Sequence, residues 1–129
     1  MHNAKCIMHN YINMESNPIV DKSLDFAVRI VNLSKYLRNK KKEYVLSKQV
    51  LRSGTSIGAN VAEAQHGQSN ADFAAKMAIA LKEANETKYW LTLLCRTDFL
   101  TDAEYESLNQ DLQEILRLLT AICKTVTTK

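Results

Sequence analysis

The C-terminal quarter of the chain carries the pattern that most restricts the fold. Apolar side chains recur there at alternating steps of three and four residues, a spacing that places them on one face of an α-helix. They are Tyr105, Leu108, Leu112, Ile115, Leu119, Ile122 and Val126. Thr101 and Glu104 precede them with the spacing of a capping box, which marks a helix start. Such a seam is typical of helices packed in a bundle.

Three more helices are predicted upstream of this one. The first runs from Asn17-Pro18 to about Arg38. The second follows the basic loop Asn39–Lys42 and ends near Gly67, and the third runs from Ser69 to about Thr97. Each has an apolar face at helical spacing. The predicted core faces are Leu24, Ala27, Val28, Val31 and Leu37, flanked by Phe26, Ile30 and Leu33; then Leu46, Val50, Ile57, Val61 and Ala64; then Phe73, Met77, Ala80, Ala84, Leu91 and Cys95.

Composition and loop length complete the fold prediction. Three glycines and one proline among 129 residues leave little material for the turns of a β-sandwich or barrel. Short loops make consecutive helices antiparallel neighbours. We therefore predict an all-α, antiparallel up-down-up-down four-helix bundle over residues 17–129. Residues 1–16 show no stable periodicity and are predicted to be a flexible N-terminal extension.

The charge distribution suggests one candidate site. The net charge is +3, yet residues 22–96 carry +7 and residues 97–129 carry −3. Clustered cations suit contact with the phosphates of RNA or DNA. The candidates lie around the first loop and along the second helix: Lys35, Arg38, Lys40, Lys41, Lys42, Lys48 and Arg52. The alternative is a solvated surface on a structural or protein-interaction module that binds no nucleic acid.

A second candidate surface consists of apolar and small residues that one bundle core does not need. On the second helix these are Leu51, Thr55, Gly58 and Ala62; on the third, Ile79, Glu83, Glu86, Trp90 and Leu93, with Ala75 beside them. Gly54 and Gly58 admit either a helix of the same bundle or one of another subunit. Carboxylates in such a seam need partners, for which Arg52, Ser56 and Asn60 are candidates. We expect a homo-oligomer.

Catalytic, metal and cofactor sites are not expected. Glu63-x-x-His66 occurs once, whereas di-iron bundles use this motif twice, and two of the three histidines lie in the predicted extension. Three scattered cysteines without a C-x-x-C motif fit a reducing compartment. No apolar run is long enough to span a bilayer. The sequence predicts a non-enzymatic, cytoplasmic protein without a membrane segment.

Two long strings make the chain resemble a known family. The first is SKQVLRSGTSIGANVAEA, residues 47–64; the second is ALKEANETKYWLTLL, residues 80–94, preceded by Asp72-Phe73. They resemble proteins encoded in intervening sequences of bacterial 23S ribosomal RNA genes. The same family includes accessory variability proteins of diversity-generating retroelements. The resemblance covers about residues 17–125.

The resemblance carries expectations of its own. It implies an antiparallel four-helix bundle assembled as a barrel-shaped homopentamer. For retroelement members it implies a basic nucleic-acid-binding surface and association with a reverse transcriptase. For the ribosomal members function is largely undefined, and this chain resembles either kind. The residues that match the family's motif are expected to hold helices and subunits together: Arg52, Ser56, Asn60, Glu63, Glu83, Glu86 and Trp90.

Overall fold

The computed structural model describes residues 17–127, which form four helices and no strand. These are α1 Pro18–Asn39, α2 Leu46–Ala64, α3 Asn70–Arg96 and α4 Asp102–Thr127. The limits agree with the predicted ones to within about three residues. The all-α class is confirmed. The predicted extension, residues 1–16, lies outside the described residues.

Side chains cap the N-termini of α3 and α4, as predicted. Ser69 Oγ accepts a hydrogen bond from the backbone N–H three residues later at 3.1 Å. Thr101 and Glu104 bond reciprocally, each side chain accepting from the other's N–H, at 3.1 and 2.8 Å. Asn17 does not cap α1 with its side chain. Its amide instead donates to Oε1 of Gln65 at 3.2 Å, so it ties the start of α1 to the end of α2.

The core lies between the four helices, each of which packs against two others: α1 on α2, α2 on α3, α3 on α4 and α4 on α1. The predicted core faces of α2, α3 and α4 are confirmed. Their fully buried members include Val50, Ile57, Val61, Met77, Ala80, Ala84, Leu91, Leu112, Ile115 and Leu119. Apolar burial of this extent is the main stabilising contribution to such a fold.

The predicted core face of α1 is partly wrong. Leu24 and Val28 are 56% and 54% exposed, and Val31 is also exposed. The buried face consists of Ile19, Phe26, Ile30, Leu33 and Leu37. Apolar residues occur on both sides of this helix, so periodicity alone could not select the buried side. The outward side keeps an apolar stripe.

Gly54 and Gly58 bring α2 close to α1. A Cβ at Gly54 would lie 2.8 Å from both γ-carbons of Ile30, and one at Gly58 would lie 3.2 Å from the Ser23 carbonyl oxygen. Glycine permits such an approach because it has no side chain. Of the two alternatives for these glycines, the structure shows packing within one bundle.

Candidate functional site

The loop between α1 and α2, residues 40–45, presents the basic cluster; we call it the lysine loop. It is closed by backbone hydrogen bonds from Lys40 N to Tyr36 O, 2.8 Å, and from Glu43 N to Leu37 O, 2.9 Å. Lys42 lies in the left-handed region, with φ 55°. A non-glycine residue adopts that conformation only where its surroundings impose it, so the loop has a defined shape.

Glu43 fixes the other side of the loop. Its Oε1 accepts a hydrogen bond from Ser47 N at 2.7 Å, and its Oε2 accepts one from Val45 N at 3.3 Å. A carboxylate at a helix N-terminus satisfies free N–H groups and interacts favourably with the helix dipole. The one acidic residue of this basic loop therefore anchors α2. This cap was not predicted from the sequence.

Six of the seven predicted cations lie in the loop or close to it in the sequence, and all six are exposed; we call them the cation cluster. They are Lys35, Arg38, Lys40, Lys41, Lys42 and Lys48. Within residues 17–127 none of the six lies in an ion pair with a carboxylate. Lys41 Nζ lies 5.9 Å from the centre of the Tyr36 ring, a cation–π contact. Because no carboxylate among the described residues pairs with these charges, the cluster is available to an external anion.

Arg52, the seventh predicted cation, has a different environment. Its guanidinium lies 3.1 Å from the Glu83 carboxylate and also bonds Glu86. Glu83 is only 8% exposed, so its charge needs this partner. Two carboxylates therefore offset the charge of Arg52, and these ion pairs connect α2 to α3. Arg52 is the predicted partner that meets them; Asn60 instead donates to the Ser56 carbonyl at 2.8 Å.

Trp90 extends this network on α3. The indole Nε1 donates to a carboxylate oxygen of Glu86 at 3.0 Å, and the ring packs edge-on against Tyr89, with centres 5.0 Å apart. Trp90 is half-buried and contacts the core of its own chain. Removing its ring would therefore disturb the bundle as well as any subunit contact.

The other predicted interface residues fall on two outward faces. Leu51 and Thr55 are half-buried and Ala62 is exposed on α2. By helical geometry these three adjoin the exposed stripe of α1, and we call the combined surface the α1–α2 face: Leu24, Val28, Val31, Leu51, Thr55, Gly58 and Ala62. The second surface, the α3 stripe, consists of Ile79, Trp90 and Leu93; Ile79 is 40% exposed. The α1 contribution was not predicted, because the periodicity of Leu24, Val28 and Val31 had placed them in the core.

Ion pairs bridge α1 and α4. Arg29 lies 2.7 Å from Asp111, and Lys22 lies 2.8 Å from Glu114. The hydrogen bond to Glu114, and then the charge of that carboxylate, raise the pKa of Lys22. Arg29 also lines an open groove of about 480 Å³, together with Leu33, Tyr36, Leu100 and Glu104 among others. Asp111 and Glu114, two of the acidic residues of α4, thus form ion pairs within the bundle.

Exposed aromatic and apolar side chains interrupt the basic surface. Tyr44 is 54% exposed and Val45 is 68% exposed. Both lie in the lysine loop, between Lys42 and Lys48. Tyr44 was not among the predicted site residues, although an aromatic residue beside lysines is a signal visible in the sequence. The structure therefore adds Tyr44 to the residues of the candidate site.

The His, Cys, Asp and Glu side chains were also compared with the requirements of a metal site. Glu63 pairs with Lys76 at 2.8 Å. Among residues 17–127 no three His, Cys, Asp or Glu side chains form a group suited to a metal. Burial, followed by a 3.5 Å hydrogen bond to Asp102, raises the pKa of the Cys95 thiol, which lowers its reactivity at neutral pH. No helix in this part of the chain is sufficiently long and apolar to cross a membrane.

Comparison with known proteins places the chain in a family. No curated protein matches it significantly. A crystal structure of a protein with unknown function from the S23 ribosomal protein family of Bacteroides thetaiotaomicron VPI-5482 matches with a TM-score of 0.81 and 63% identity, covering 82% of this chain and 98% of that one. The family model for 23S rRNA-intervening sequence proteins matches residues 15–121. The chain belongs to the family of 23S rRNA-intervening sequence proteins.

Proposed function

We propose that this protein is a non-enzymatic, homo-oligomeric, cytoplasmic bundle that binds RNA or DNA through the cation cluster, as an accessory to a reverse transcriptase or to ribosomal RNA. The observation that carries the proposal is the set of six exposed cations without a carboxylate partner in residues 17–127. Phosphate binding needs cations that can exchange water and salt ions for phosphate oxygens. Arg52 is left out of this surface because its charge is already offset.

The proposed fold is an antiparallel bundle. Contacts between α1 and α2 support this direction, because earlier positions in α1 meet later ones in α2: Asn17 with Gln65, Ser23 with Gly58, Ile30 with Gly54, and Ser34 with Ser47. This arrangement puts the lysine loop and the α3–α4 loop at one end. Nucleic acid then lies over the α1–α2 half of that end, away from Asp98 and Asp102.

The proposed assembly is a closed ring, with five subunits as the family resemblance implies. Its support is the presence of two apolar surfaces on different sides of the bundle, the α1–α2 face and the α3 stripe. A ring requires such head-to-tail contact, in which one face of a subunit meets another face of the next. The ring would repeat the cation cluster around its axis and so strengthen binding to a long strand.

Charge reversal tests the nucleic-acid proposal. We expect the double variant Lys40→Glu/Lys41→Glu to bind a fluorescently labelled single-stranded RNA at least about tenfold more weakly, because phosphate contacts are replaced by repulsion. Fluorescence anisotropy at low salt measures the affinity. Lys82→Glu/Arg117→Glu is the matched control: it makes the same charge change at two exposed sites on α3 and α4.

The control variant should bind like the wild-type protein. Equal loss in both double variants would show an effect of net charge alone. Unchanged affinity in Lys40→Glu/Lys41→Glu, or no binding by the wild-type protein at low salt, would contradict the proposal and favour a structural or protein-interaction module.

A further inference from the structure

We propose that Tyr44 makes the lysine loop selective for single-stranded nucleic acid by stacking on an unpaired base. This inference rests on the proposed function and names its substrate class. It adds a residue whose contact is with a base, whereas the cation cluster contacts phosphates.

The position of Tyr44 supports a contact with an external ligand. It is 54% exposed although aromatic, and within residues 17–127 its ring makes no contact with another aromatic ring or with a cation. Tyr36, the other exposed aromatic residue near the cluster, is already covered by Lys41. Tyr44 is therefore the aromatic surface that the loop leaves open.

The loop also holds Tyr44 in place. Glu43, its neighbour, donates its N–H to Leu37 and accepts hydrogen bonds from Val45 and Ser47 with its carboxylate. The residues on both sides of Tyr44 are thus fixed to α1 and α2 before any ligand arrives. A contact made by a preorganised loop loses less conformational entropy on binding.

The chemistry of the surroundings selects the ligand. Lys42 and Lys48 lie on either side of Tyr44 in the chain, so a base stacked on the ring would have its own phosphates near cations. The ring face of a base is exposed in a single strand and covered by neighbouring pairs inside a duplex. Stacking of bases on aromatic side chains next to a basic surface is how many proteins bind single strands without reading sequence.

Three labelled ligands test the inference: a single strand, the duplex of the same sequence, and a single strand with abasic sites in place of its bases. The abasic strand keeps the phosphates and removes the stacking partner. We expect the wild-type protein to prefer the normal single strand. Tyr44→Ala should weaken that complex by about fivefold to a hundredfold and leave the abasic complex unchanged. Tyr44→Phe, which retains a ring, should keep the preference.

Each other outcome has a definite meaning. If the wild-type protein binds all three ligands equally and salt weakens each complex, the cation cluster acts alone and the Tyr44 inference is wrong while the proposed function stands. If Tyr44→Ala weakens all three complexes, or changes the mass of the assembly, Tyr44 has a structural role and the inference is again wrong. If no ligand binds, both proposals fail.

Discussion

Val28→Glu and Ile79→Glu are each expected to convert the proposed oligomer into a monomer. Val28 lies in the α1–α2 face and Ile79 in the α3 stripe, and both are exposed in the single chain. A carboxylate introduced into an apolar contact has to be desolvated without a partner, which costs several kcal/mol, about a thousandfold in association. Native mass spectrometry or light scattering at micromolar protein measures the mass.

Mixing the two variants tests the ring more closely. Ile79→Glu retains an intact α1–α2 face, and Val28→Glu retains an intact α3 stripe. If these two surfaces meet each other, the mixture should form a heterodimer through the one intact contact, although neither variant associates alone. A contact between like faces would be broken in one variant only, and the mixture would then contain no heterodimer.

Gln110→Glu is the control for added charge, because it places a carboxylate on an exposed polar position of α4. It should keep the wild-type mass. All three variants should keep the helical circular dichroism of the wild-type chain, since the substituted side chains are exposed. A monomeric wild-type protein at micromolar concentration, or an unchanged mass in Val28→Glu, would contradict the proposed assembly.

Gly54→Val is expected to lower the free energy of unfolding by about 2–3 kcal/mol, the typical cost of overpacking a core. A Cβ at this position already meets both γ-carbons of Ile30 at 2.8 Å, and Ile30 is fully buried, so α1 must move away from α2. The clash outweighs the small helix-propensity gain over glycine. Thermal or urea unfolding at one fixed protein concentration measures the change.

Ala59→Val is the matched control because it places valine on the exposed side of the same helix. It should cost only about 0.5 kcal/mol, the propensity difference. A Gly54→Val variant as stable as Ala59→Val would show that α1 and α2 are not in close contact at this point.

The helices were predictable because their signals are local. Ser69 and Thr101 mark where α3 and α4 begin. The spacing of three and four residues between apolar side chains in α4 shows which side of that helix is buried. For α1 this approach failed, since Leu24 and Val28 have the same periodicity as a core stripe and are exposed. Which apolar side faces inward depends on neighbouring helices, and that information is not local.

The candidate site was predictable in part for the same reason. Consecutive lysines identify the cation cluster, but only the structure shows that the Arg52 charge is offset by Glu83 and Glu86. Glu43 is the one acidic residue of a basic loop. It accepts a hydrogen bond from Ser47 N, a spacing that does not match a capping box, so the sequence pattern does not reveal its capping role. The partners of Arg52 lie 31 and 34 residues away in the chain, so their contact leaves no local signal in the sequence.

The salt dependence of RNA binding tests the nucleic-acid proposal most directly. Each phosphate contact to a single strand contributes about 0.7 to the slope of log affinity against log salt concentration. We predict a steep negative slope for the wild-type protein, reduced in magnitude by about 1.4 in Lys40→Glu/Lys41→Glu as two contacts are lost. A flat slope for the wild-type protein, or the same slope in both proteins, would show that the cation cluster does not bind phosphate.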